Sequence, residues 1–154
     1  MKYRRLSKEQ FQELHFEFSQ FLASHSIDAV QWKQLKRESS QKVDALLDIF
    51  SDIVWEKVLS KVVSVQYFSP QKIVLLNREN NILKAIIITT NGREVDFETQ
   101  EGFQWLEKNM DSDQVVLTVG EKSSNIHSEL FKWILQGGQI TDGELFKRIQ
   151  KLIS

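Results

Sequence analysis

The longest unbroken pattern of apolar and polar positions runs from Val43 to Val62, VDALLDIFSDIVWEKVLSKV, with neither Gly nor Pro. Val43, Leu46, Leu47, Phe50, Ile53 and Val54 recur every three or four positions, which predicts one apolar stripe on a helix about 30 Å long. After Val54 the stripe rotates, and Trp55, Val58, Leu59 and Val62 continue it on another side. That rotation predicts a change of packing partner, from helices to a sheet.

Upstream, Ser7 is an N-cap with Gln10 completing a capping box, and Phe11, Leu14, Phe18, Phe21 and Leu22 share one face of a helix ending near Ser24 to Ser26. Asp28 and Gln31 form a second box, with Ile27 and Trp32 as its hydrophobic staple. The short helix that follows carries Trp32 and Leu35 inward and Lys33, Lys36 and Arg37 outward. The segment 1–62 therefore reads as three helices.

Beyond Val62 the period falls to two. Val63, Val65 and Tyr67 alternate with polar residues until Pro70. Ile73–Glu79 and Ile82–Thr90 flank Asn80-Asn81, a two-residue reversal, and Asn91-Gly92 leads into Arg93–Glu98. These turns set Leu75 opposite Ile86 and Ile73 opposite Ile88, then Ile88 opposite Val95 and Ile86 opposite Phe97. The last of these strands presents Glu94, Asp96 and Glu98 on its other face. Thr99 caps a helix reaching Met110, and Val115–Val119 is a further strand. Ile126–Gln136 is a helix stopped by Gly137-Gly138, and Thr141 with Glu144 boxes the start of the last helix. The expectation is an α+β fold: an N-terminal three-helix segment packed on a mainly antiparallel sheet of four to five strands, with C-terminal helices. It is read as a single domain over 1–154, with a helical part at 1–62, a meander sheet with one inserted helix at 63–120, and two helices at 124–153.

Composition narrows the chemistry. The 154 residues carry 20 basic and 21 acidic side chains, a net charge of −1, so the basic footprint that nucleic-acid binding needs is missing. Zero cysteines exclude disulfides, thiolate catalysis and Cys-ligated metals. The basic start is followed by no apolar stretch, and runs such as Ala85–Ile88 are far too short for a bilayer. A cytoplasmic protein, bound to neither membrane nor nucleic acid, is the expectation.

No zinc-protease, serine-hydrolase or dinucleotide-binding motif occurs. Gly138 to Gly143 has the glycine spacing of a phosphate loop, but Glu144-Leu145 stands where Lys and Ser/Thr belong, so it reads as a helix stop and cap. His15, His25 and His127 lack metal-ligand spacing. The outstanding polar feature is Asp44, Asp48, Asp52 and Glu56, at successive i, i+4 positions with no Lys or Arg three or four residues away. Each like-charge pair opposes the helix by about 0.2–0.5 kcal/mol, so a compensating group is expected elsewhere. The candidates are Lys33, Lys36 and Arg37 on the preceding helix, solvent and salt, a divalent cation held by Asp48 and Asp52, or a basic partner surface. The order of elements is also similar to the core of restriction-endonuclease-like nucleases, although no Asp/Glu-x-Lys triplet occurs.

Three blocks, MKYRRLSKEQFQELHFEFSQFLASHSIDA, LDIFSDIVWEKVLSKV and ITDGELFK, resemble an uncharacterised bacterial family, a domain of unknown function. The resemblance implies a small soluble domain in a bacterial cytoplasm and no reaction. The functional expectation is a non-catalytic protein-interaction domain with no cofactor, meeting an unknown protein partner or forming a homodimer through the acidic stripe or the Glu94, Asp96, Glu98 face. The alternative is a metal-dependent hydrolase, or a degenerate nuclease-like domain, using the long helix's carboxylates.

Overall fold

A computed structural model describes residues 1–153 and divides the chain into two compact units, Met1–Val58 and the remainder from Leu59. The first unit contains α1 (Lys8–Glu13), α2 (His15–Ser24), α3 (Ala29–Glu38) and most of α4 (Ser40–Lys61). Both predicted capping boxes form: Ser7 and Asp28 each accept from the backbone of the third helical residue, and Gln10 and Gln31 return the bond. The first helix is not continuous, however. Leu14 leaves helical geometry, with φ −101° and ψ 22°, and splits it into α1 and α2. In a straight helix Phe11 and Phe18 would be about 10 Å apart along the axis. With the break their rings lie 5.4 Å apart, and both reach Phe50, at 5.9 and 5.0 Å. Phe21 and Trp32 complete this aromatic cluster.

The long helix α4 is unbroken through Trp55, as its periodicity predicts. Phe50 is its deeply buried anchor in the first unit. Ile53, assigned to the apolar stripe, is instead half exposed, while polar Ser51 is fully buried. The exchange has a reason: Ser51 Oγ accepts from the Leu6 amide at 3.0 Å and donates to the Leu47 carbonyl at 2.7 Å, so its burial leaves no polar atom unpaired.

The second unit is built on β1 (Ser64–Phe68), β2 (Ile73–Glu79), β3 (Ile82–Thr90), β4 (Val115–Lys122) and β5 (Gln139–Thr141), in the order β4-β3-β2-β1-β5 with every pair antiparallel. It also holds α5 (Gln100–Asn109), α6 (Ile126–Leu135) and α7 (Glu144–Ile153). The α+β class is therefore as expected. Asn80 takes positive φ, 57°, and the β2–β3 register is the one the sequence predicts, Leu75 on Ile86 and Ile73 on Ile88.

The next expected hairpin does not form. Arg93–Glu98 is not a strand, and β3 pairs with β4, setting Ile88 on Leu117 and Ile86 on Val119. Two forces decide this. The β-branched run of β4 suits a sheet better than Glu94, Asp96 and Glu98 do. Asp96 also closes a turn: its carboxylate accepts from the Glu98 amide at 2.9 Å and its carbonyl accepts from Thr99 Oγ1 at 2.8 Å. Phe97 still points inward, and with Ile73, Leu75, Ile86, Ile88, Leu106, Phe146 and Ile149 it makes the buried core. The acidic face proposed on that segment is consequently not a strand face.

Strand β5 lies within the stretch read as a turn and helix cap, and seats the chain beside β1, with Thr141 on Ser64. The expected Thr141–Glu144 box is replaced by two local bonds. Thr141 Oγ1 accepts from the Gly143 amide, and Asp142 accepts from the Glu144 amide. Gly143, at φ +86°, is constrained twice, because a Cβ there would also stand 2.6 Å from the buried Asn77 Oδ1. At the C-terminal end of α4, Arg78 on β2 donates to the Leu59 and Ser60 carbonyls at 3.0 and 3.2 Å, placing a cation where the helix dipole favours one. None of the described helices is long and apolar enough to cross a membrane.

Candidate functional site

The four carboxylates of the acidic stripe do occupy one face of α4, and residues 2–5 lie along them. Arg5 donates from Nε to Asp48 Oδ1 at 2.6 Å and reaches Asp44 Oδ1 at 3.4 Å. Asp52 accepts two backbone amides, from Lys2 at 2.7 Å and from Tyr3 at 2.9 Å, one on each oxygen. Glu56 Oε1 accepts from Lys2 Nζ at 2.7 Å and from the Tyr3 hydroxyl. Trp55, on the same turn, donates its indole N–H to the Arg4 carbonyl at 3.0 Å. The extended segment is thus fastened along three turns of the helix by charge-assisted bonds, the stronger class of hydrogen bond.

These contacts offset the repulsion between neighbouring carboxylates. The compensating cations are Lys2 and Arg5 and not those of the preceding helix: Lys36 lies over the Trp32 ring at 5.4 Å, and Arg37 donates to the Lys33 carbonyl. The electrostatics follow from the geometry. The hydrogen bond from Arg5 holds the Asp48 carboxyl below its ordinary range, while burial and then the bond to Glu56 push the Tyr3 phenol up. A basic segment opposite an acidic i, i+4 series was visible in the sequence. Their separation of 39 to 54 positions kept local rules from joining them.

The histidines are tied to local structure. His15 Nδ1 lies 3.2 Å from the Gln12 carbonyl, and His25 packs on Phe21 with Nδ1 3.0 Å from that residue's carbonyl. His127 sits in the first turn of α6. Among the described residues no three His, Asp or Glu side chains are grouped to hold a metal ion.

In the second unit a cleft of about 610 Å³ is walled by Phe68, Phe97, Phe103 and Leu145. Its polar rim is mainly acidic, Glu98, Asp142 and Glu144, with Arg148 as the cation. That charge disfavours anions, although the starts of α5 and α7 both border it. More conspicuous is the sheet's long edge. Among the described residues strand β4 pairs only with β3, so one side of its eight-residue backbone has no strand beside it. Val116 on one face and Val119 on the other are exposed, at 40% and 64%; the strand carries no proline, and its charges, Glu121 and Lys122, are confined to its end. Natural edge strands usually blunt such a surface with charge, a bulge or brevity.

The chain matches no curated protein and no solved structure. Residues 1–154 match the family described as Family of unknown function (DUF6495), and the chain belongs to that family.

Proposed function

We propose that this chain is a non-catalytic protein-interaction domain of a bacterial cytoplasm, and that its partner is a second copy bound along β4. The observation that carries this reading is the long, exposed edge strand, whose first five residues are apolar apart from Thr118. Such an edge gains main-chain hydrogen bonds by adding a strand, and a two-fold axis lets the same strand serve both copies.

Symmetry and charge favour one register. Residues facing each other must lie on the same side of the sheet, so the axis passes through a residue. Centring on Leu117 would set Asp113 against Glu121, and centring on Val119 would set Leu117 against Glu121. Centring on Thr118 sets Leu117 against Val119, two apolar residues, and brings no like charges together; its one apolar–acidic pair, Val115 with Glu121, lies towards the strand ends.

The test is light scattering on the eluting protein, with Val119→Lys as the control. A dimer that becomes a monomer in the variant supports the reading. A monomer at about 1 mM, where even about −4 kcal/mol of association would show, ends it. The competing class, a metal-dependent or degenerate nuclease-like hydrolase, would use Asp48 and Asp52. Asp48 already accepts from Arg5 and Asp52 from the Lys2 and Tyr3 amides, which supports the interaction reading. Melting with Mg²⁺, Mn²⁺ or Ca²⁺ separates the two, since a cation site raises the midpoint and a satisfied carboxylate face does not.

A further inference from the structure

The first unit contains a groove of about 540 Å³ that the acidic stripe and the β-edge leave unexplained. Its walls are Leu6, Phe11, Phe18, Trp32, Val43 and Leu47, drawn from the segment before α1 and from α1, α2, α3 and α4. Five of these six are only half buried, so an aromatic and aliphatic surface is left open at the centre of a small helical unit. Around it stand Arg5, Lys8, His15 and Lys36, and the lining includes no Asp or Glu. Size and lining match small-molecule sites, which span about 300–1,000 Å³ and combine apolar walls with a few polar groups.

We propose that this groove binds a single amphipathic carboxylate, an aliphatic chain with one anionic head group. The apolar walls account for the chain. The rim accounts for the head. Arg5 is engaged by Asp48 and Asp44, which leaves Lys8 and Lys36 as the rim cations without a carboxylate partner among the described residues. Lys36 is held over Trp32 at 5.4 Å, so its ammonium stands at the lip of the apolar wall. A neutral hydrocarbon would leave both ammonium groups unused, and a cationic head would be repelled by them. The walls converge from five segments instead of running along one helix pair, which suits an inserted chain better than a docked partner helix.

The test is calorimetric titration of the full chain with dodecanoate below its micellar range, beside dodecanol and dodecyltrimethylammonium. One-to-one binding of dodecanoate, about tenfold tighter than the trimethylammonium compound, is expected. Lys8→Glu with Lys36→Glu, both on exposed positions, should weaken dodecanoate about tenfold and leave dodecanol unchanged. Val43→Trp, which fills the groove, should remove binding of all three. The proposal is overturned by absence of saturable dodecanoate binding, by equal affinity for the cationic compound, or by indifference to the double charge reversal. Association with phosphatidylglycerol vesicles or with an acidic amphipathic peptide, in place of dodecanoate, would overturn it as well.

Discussion

Arg5 and Asp48 meet through a single short bond, Nε to Oδ1 at 2.6 Å, across 43 positions of sequence. The bond favours the charged carboxylate, so the folded-state pKa of Asp48 lies below the about 4 of an unfolded aspartate. A depressed acid stabilises the fold above the unfolded pKa and loses that contribution as pH falls through the folded one. Asp48→Asn should therefore cost about 0.5–1 kcal/mol at pH 7, a value held down by solvent exposure of the pair. The difference from the parent protein should shrink below about pH 4 and vanish once the acid is protonated in both states. Urea melts from pH 7 to pH 2 measure it, and a gap that stays constant would remove Arg5 as its cause.

Asp52 has a different role, because it receives backbone amides and not a cation. Asp52→Ala should release the segment at Lys2 and Tyr3, costing about 1–2 kcal/mol for two charge-assisted bonds at a partly exposed site. Amide exchange at Tyr3 should accelerate far more than exchange at Phe50, which stays in the aromatic cluster. Equal acceleration at both would mean the unit as a whole had been weakened.

Arg78 ties the end of α4 to β2. Arg78→Lys keeps the charge but cannot reach two carbonyls in a fixed fork, so it should recover little of the loss seen in Arg78→Met, about 1–2 kcal/mol. Thermal melts of the two variants check this, and full rescue by lysine would show that charge alone suffices.

Gly102 is required for lack of space, with no unusual backbone angle involved. A Cβ there would stand 1.8 Å from the Asp96 carbonyl oxygen, so Gly102→Ala must push the Asp96 turn away from α5. A loss of about 2–3 kcal/mol is expected by urea unfolding, with no gain from alanine's better helix propensity. A neutral or stabilised variant would show that the turn gives way freely.

Local chemistry was legible in the sequence. Ser7 and Gln10, Asp28 and Gln31, and the reversal at Asn80 each act within a few residues, and all form as read. The long helix was equally plain. What misled was a competition that local rules do not see. Asn91-Gly92 is a strong turn signal, but the chain after it is claimed by the Asp96 turn, and β4 arrives from 25 positions onward to take the place beside β3. The candidate surfaces were least legible, since Lys2 and Arg5 reach carboxylates 39 to 54 positions away, and the groove assembles from five separate segments.

The helix α4 carries its ladder straight through Val58 and Leu59, the point at which the two units divide. A chain excised at that junction would end, or begin, in mid-turn with severed carbonyls or amides and no cap to receive them. Neither half has a natural terminus there. A cut moved to Val63 is no remedy, since it parts the Leu59 and Ser60 carbonyls from the Arg78 that closes them, so an isolated second unit must keep this last turn of α4.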